Sequence, residues 1–335
     1  MDKFFLVLTL GFILTLILSP LIIKFAKRVK ASQPVYEYVD MHKKKSGTPT
    51  MGGISFIFGI IFSSAVFFNG NYKLALVTLA VFFAYGVVGF LDDFIKIKYK
   101  HNEGLKPYQK IIFQVIIACV VTMFSYYSNI VGTSIYIPFV NKEIELGIFY
   151  IPLTIFVFLA LTNSVNLTDG LDGLAGGVGL AYTTSFAFIL FTIFYSLVAS
   201  GASNLIISEY SNMLLVVGAA IGALLAYLLF NSFPAQIFMG DTGSLALGGL
   251  FACFTIFTKL TLLIPILGFM FVVSSVSVIL QVLHYKRTKK RIFLMAPFHH
   301  HLEKKGVNET KIVVIYIIIT AMIGVVSELM YLIFF

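Results

Sequence analysis

"FFLVLTLGFILTLILSPLIIK", residues 4–24, decides the architecture, because its one charge is the terminal Lys24. A helix of that length rises about 30 Å, the thickness of a bilayer's hydrocarbon core. Similar runs recur at about 51–69, 74–91, 110–128, 149–164, 173–199, 213–230, 244–258, 261–284 and 312–334. With 59% hydrophobic and 12% charged residues and a mean hydropathy of +0.96, the chain reads as an all-α integral membrane protein of about ten spans. The run 149–164 is the weakest of them, being short, and only Thr-Lys-Leu-Thr at 258–261 separates the eighth from the ninth. The first run has no basic leader and no small-residue cleavage site, so it is expected to stay in place as a helix. No stretch between spans is long enough to bury a core of its own, so residues 1–335 are expected to form a single polytopic domain.

Lys and Arg set the orientation. Twenty of the 24 fall in three connections, at 24–45, 96–110 and 286–311. With ten spans these all lie on one side, which is therefore expected to be cytosolic, with both termini outside. The net charge of +9 fits membrane retention and anionic lipid. It also fits a face that gathers an anionic substrate. No nucleic-acid-binding pattern is present, so nucleic acid is not an expected partner. Cys119 and Cys253 each lie inside a span and read as packing residues. The chain shows no internal repeat, which counts against transporters built from inverted halves.

The unusual polar residues collect on the expected cytosolic side, in "HKKKSGTPTMGG" (42–53), "LDDFIKIK" (91–98), "NSVNLTDGLDG" (163–173), "NSFPAQIFMGDTGS" (231–244) and "MAPFHHHLEKKG" (295–306). Acids at membrane-helix ends are costly and mark function. Asp92, Asp93, Asp169, Asp172 and Asp241 are five of the chain's 15 acids. Asp92 and Asp93 are expected at the C-terminal end of the third span, where the helix dipole disfavours them unless Lys96 or a metal compensates. Asp241 is expected in a tight turn just before the eighth span. Mg²⁺ takes one or two carboxylates and completes its shell with waters and phosphates, so this set suits a metal shared with a diphosphate. Thr168 or Asp169 is expected to cap the sixth span, making its N-terminus an anion cradle with Asp172 one turn in. Gly170 permits close approach of a planar ligand. Adjacent His299, His300 and His301 point about 100° apart on a helix, which disfavours zinc and suits phosphate contacts. Lys45 and Thr50 offer a cation and a hydroxyl beside Pro49.

Taken together and in this order, "GTPTMGG", "DD", "NLTDGLDGLAGG", "GDTGSLALGG" and "MAPFHHHLEKKG" resemble the bacterial phospho-N-acetylmuramoyl-pentapeptide transferases, the translocase I family. That family belongs to the polyprenyl-phosphate N-acetylhexosamine-1-phosphate transferases. The resemblance covers essentially the whole chain, and "HHH" followed by "LE" is similar to the muramoyl-specific branch. Val307 stands where many relatives have tryptophan. The resemblance implies Mg²⁺-dependent transfer of phospho-N-acetylmuramoyl-pentapeptide from UDP to undecaprenyl phosphate, giving lipid I and UMP. It implies Asp92, Asp93 and Asp241 as catalytic, and Asp241, Asp169 and Asn166 at the metal. Gly170, Leu171, Asp172, Asn231 and Phe238 match a uridine pocket. Lys45, Thr50, Asn163 and the three histidines match substrate-binding positions. A homodimer in membrane lipid is implied as well.

The ninth span, read as helical from 264 to 290, would reach roughly 40 Å, too long for the bilayer. It is expected to bend beside the site. Two rival readings remain. A sister transferase acting on UDP-N-acetylglucosamine differs only in donor. An intramembrane aspartyl protease would use Asp241 of "DTGS" with a second acid sharing one proton, but leaves the lysines and histidines unexplained.

Overall fold

Long apolar runs whose backbone groups must bond internally in lipid leave helices as the available structure. The computed structural model describes residues 2–29, 31, 47–99, 104–138 and 142–334, and 78% of these residues are helical. The helices are α1 (Asp2–Arg28), α2 (Gly53–Ala65), α3 (Lys73–Tyr99), α4 (Pro107–Tyr126), α5 (Tyr150–Thr168), α6 (Leu174–Ala199), α7 (Asn204–Asn231), α8 (Gly240–Phe257), α9 (Ile264–Leu267), α10 (Phe269–Thr288), α11 (Phe298–Lys304) and α12 (Glu309–Phe334). Among the described residues, nine helical segments are long and apolar enough to cross a membrane. It is a multi-pass membrane protein.

α8 is the innermost helix, buried along nearly its whole length among α2, α3 and α5. Small residues make this possible, since lipid gives apolar surfaces no reason to associate and close backbone packing must do so. Gly89 of α3 lies against the backbone of Asp241, and Gly248 of α8 lies against Thr162 of α5. Farther along, Tyr182 meets Phe251 at 4.6 Å and Phe186 stacks on Phe254 at 5.3 Å between ring centres.

Several boundaries differ from those expected, and each difference has a local cause. α2 spans 13 residues rather than the whole of 51–69. Beyond it the chain turns back, held by the Asn212 amide, which donates to Asn69 O at 2.7 Å and Asn71 O at 2.9 Å. α3 runs eight residues past 91, because Lys96 pairs with Asp92 one turn earlier at 2.6 Å. The two acids therefore sit inside the helix, not at its end. The ninth span breaks at Gly268 into α9 and α10. The break lies at the end remote from the acids, and the remaining 20 residues match the bilayer without further bending. A short antiparallel hairpin, β1 (Ser134–Ile137) with β2 (Lys142–Glu145), occupies the segment expected as loop.

The first and last described turns lie at the hairpin end of the bundle. Asp2 borders Phe191 and Tyr195 at the end of α6, and Tyr331 lies within electrostatic reach of Tyr136 and Tyr210. The acids occupy the opposite end.

Candidate active site

Three carboxylates converge where α3 meets the start of α8. Ligand oxygens of Asp92, Asp93 and Asp241 all lie within 4.8 Å of one another. Asp92 and Asp93 are buried, and Asp241 retains slight exposure. A left-handed Gly240, φ +72°, turns the chain into α8, so Asp241 stands in the first helical turn rather than in a turn before it.

Each acid is held differently. Asp93 accepts from Asp241 N at 3.2 Å, Thr242 N at 3.0 Å and Thr242 Oγ1 at 2.7 Å. It thereby caps α8 from a neighbouring helix, serving N–H groups that the helix cannot satisfy itself. Asp92 accepts Leu105 N at 2.9 Å and pairs with Lys96. Asp241 Oδ2 takes Lys96 Nζ at 3.0 Å and Lys110 Nζ at 2.7 Å, while Oδ1 takes Asn166 Nδ2 at 2.6 Å. Asn166 Nδ2 also reaches Ser244 Oγ at 2.9 Å.

The donor set fits a hard cation. It offers carboxylate oxygens with no sulfur. If all are ionised, three carboxylates against two ammonium groups leave one formal negative charge. The three acids are thus a group able to hold a metal ion. An aspartyl-protease dyad needs two acids sharing a proton and free to act as a pair, whereas Asp241, though beside Asp92, is gripped by Lys96 and Lys110.

Asp169 stands apart from this trio. It ends α5 as its C-cap, and Thr168 bonds back to Ser164 O at 2.8 Å within the same helix. Neither caps α6, which starts from Gly173 at φ +79° with no side-chain cap. The expected anion cradle at that helix start is therefore not formed by these residues. α5 extends four residues past 164 and so takes up the very groups expected as caps. Burial, reinforced by the charge of Asp241, raises the Asp169 carboxyl well above the usual range. Asp172 lies in the loop before α6, buried, with Oδ2 accepting Ala235 N at 2.9 Å and its own N–H donating to Glu309 Oε1 at 2.9 Å.

The remaining candidates divide into groups. His299 and His300 both reach Gly170, their rings 4.4 Å apart, and His300 Nδ1 lies 2.6 Å from Glu303 Oε2. His301 turns away, accepting Leu294 N at 3.1 Å and packing on Phe293 and Phe298. The three do not converge on one point. Thr50 Oγ1 approaches Gly240, and the Phe238 N–H donates to Pro49 O at 2.8 Å beside it. Asn231 donates to Ile237 O at 2.9 Å and shapes the same loop, while Leu171 is buried beside Asp172. Asn163 is engaged by Gln114 Oε1 at 2.8 Å, one turn behind Asn166. Lys45 lies outside the described residues. Lys110 escaped sequence reasoning as a site residue, since it is one lysine among five in its connection and 131 positions from Asp241.

Comparison with known proteins agrees with the geometry. Residues 75–259 match the model of Glycosyl transferase family 4, and residues 45–57 match the phospho-N-acetylmuramoyl-pentapeptide-transferase signature 1. The chain is similar to curated phospho-N-acetylmuramoyl-pentapeptide-transferases across nearly its whole length. That of Clostridium perfringens (strain SM101) is 44% identical over 95% of this chain and 94% of its own. That of Desulfitobacterium hafniense is 40% identical over 98% of each, and that of Thermoanaerobacter sp. (strain X514) 42% over 96% of each. The chain therefore belongs to the phospho-N-acetylmuramoyl-pentapeptide-transferase family of membrane-embedded phosphoglycosyl transferases.

Proposed function

We propose that the protein transfers phospho-N-acetylmuramoyl-pentapeptide from UDP to undecaprenyl phosphate, forming lipid I and UMP for peptidoglycan synthesis. The observation that carries this is Asp241, held by two lysines and an amide beside two buried acids at one end of the spans. That end faces the cytoplasm of a bacterial inner membrane, with both termini on the far side. The protein works as a single polytopic domain, paired as a homodimer in the lipid.

The uridine is received by Gly170, Leu171, Asp172, Asn231 and Phe238, with Asp172 addressing the uracil edge. His299, His300, Thr50 and Lys45 gather the rest of the donor, the histidines supplying N–H groups to phosphate oxygens, while Asn163 backs this site through its bond to Gln114. Lys96 and Lys110 offset the diphosphate charge. Asp241, with its neighbours Asp92 and Asp93, would hold Mg²⁺, with Asn166 beside Asp241 and Asp169 farther off at the end of α5. When bound, the ion acts as a Lewis acid on the phosphoryl oxygens.

The acceptor's second phosphate pKa is about 6, so it arrives largely as a dianion. Asp92 takes the remaining proton where one is present. Asp93 keeps α8 in place. A single in-line displacement follows, since an Asp241 occupied by cations is a poor nucleophile. The polyprenyl tail lies along α10, whose Ile279, Leu280 and Leu283 are exposed.

UMP release by purified protein in detergent tests this reading. Release with undecaprenyl phosphate and the pentapeptide donor, lost on chelation and restored by Mg²⁺, is expected. Release only with UDP-N-acetylglucosamine would place the chain in the sister branch.

A further inference from the structure

Of the buried residues on α4, Gln114 is the one nearest the acids; the others are Ala118, Val121, Thr122 and Ser125. An amide fully buried at membrane depth is costly and needs a reason. Its bonds supply one. Gln114 Oε1 accepts Asn163 Nδ2 at 2.8 Å on α5, with Thr162 Oγ1 at 3.5 Å. The Gln114 main-chain oxygen accepts Tyr85 Oη at 3.1 Å from α3. One residue thus ties together α3, α4 and α5, which bring Lys96, Lys110 and Asn166 to Asp241.

The spacing makes this more than a tie. Lys110 lies one turn from Gln114 on α4, and Asn166 lies one turn from Asn163 on α5, each pair sharing a helix face. Those outer residues meet on the two oxygens of Asp241, at 2.7 Å and 2.6 Å. The Gln114–Asn163 bond is the rung immediately behind them. Beyond it, toward the acids, no side chain of α4 is fully buried to fix its position.

We infer that Gln114 is a positioning residue for phosphosugar transfer, its amide setting α4 against α5 so that Lys110 and Asn166 both reach Asp241. The inference rests on the transferase reading for its kinetic consequence. Its structural consequence does not.

The test uses Gln114→Leu, Asn163→Leu, the double variant, and Gln114→Glu, which keeps an acceptor oxygen. Two quantities are measured: steady-state kinetics, and the labelling rate of the Lys110 amine by mass spectrometry. A displacement near 1 Å at a reacting centre costs up to about 100-fold, so Gln114→Leu is expected to lower kcat by about 10- to 100-fold. Donor KM is expected to rise by no more than about threefold, since only Lys110 shifts and the uridine and histidine contacts stay in place. The double variant should be no slower than the slower single, because both remove one interaction. Gln114→Glu should recover most of the rate. Lys110 labelling should rise several-fold in both leucine variants. Unchanged labelling, multiplying losses, or an effect confined to KM would overturn the inference. Should the leucine variant not fold, Gln114→Asn shortens the reach by one methylene and carries the same test. If the wild-type protein transfers no phosphosugar, the transferase reading fails while the labelling still decides the helix placement.

Discussion

Replacing Asp93 separates a structural carboxylate from a reacting one. Asp93 accepts three hydrogen bonds from the first turn of α8, two from backbone N–H and one from the Thr242 hydroxyl. In Asp93→Ala the hydroxyl can rotate to another acceptor, but the two N–H groups stay buried. Each unsatisfied group costs about 1–3 kcal/mol, so the loss is about 2–6 kcal/mol. Asp93→Asn keeps an oxygen for Thr242 and gives up the bond to Asp241 N, which costs about 1–3 kcal/mol. The chain has no tryptophan, so unfolding is best followed by thiol labelling of Cys253, which is fully buried. Asp241 rides on the turn that Asp93 caps, so Asp93→Ala should also lower kcat by about 100-fold. The Asn variant should keep activity within about tenfold of wild type, the size of one lost bond of about 1.4 kcal/mol. An Asn variant as inactive as Ala while melting like wild type would refute this reasoning and give Asp93 a direct part in the chemistry.

Other consequences are as sharp. Gly89→Ala would drive a methyl into the Asp241 backbone, and overpacking of this kind costs about 1–3 kcal/mol; kcat should fall with the melting temperature. Asp169 has a raised pKa in the folded state, so its contribution to stability is full below the unfolded value of about 4 and is lost as pH rises through the folded one. Melting curves across pH should therefore show Asp169→Asn with a flatter profile and a higher melting temperature than wild type above that range; parallel profiles would contradict the assignment. His300→Ala should raise donor KM by about tenfold or more, the loss of one charge-assisted contact. His301→Ala should leave KM near its original value, because that ring holds the Leu294 backbone instead.

Much of this was legible beforehand because lipid imposes few structural options. Length and apolarity pointed to the spans; among the described residues nine helices are long enough to cross a membrane, and α2 is shorter. Asp92, Asp93 and Asp241 stood out as charges in apolar surroundings. What stayed hidden depended on contacts distant in sequence. That α3 runs on past Asp93 depends partly on Lys96, which was visible as a candidate partner, but that Asp93 caps α8 depends on a residue 148 positions away. The Thr168 and Asp169 side chains looked like helix starters by composition, yet α5 absorbed the first and ended on the second. Lys110 and Gln114 carried no local signal at all, since a lysine in a basic loop and a glutamine in a span acquire meaning only when α4 is laid beside α5 and α8.

The most direct test of the central claim is the identity of the nucleotide released in a single turnover with undecaprenyl phosphate and the pentapeptide donor. Attack on the sugar-linked phosphate, as proposed for the acids and lysines around Asp241, releases UMP and leaves a diphosphate on the lipid. Release of UDP, with a monophosphate lipid product, would mean attack at the sugar carbon and would contradict the account.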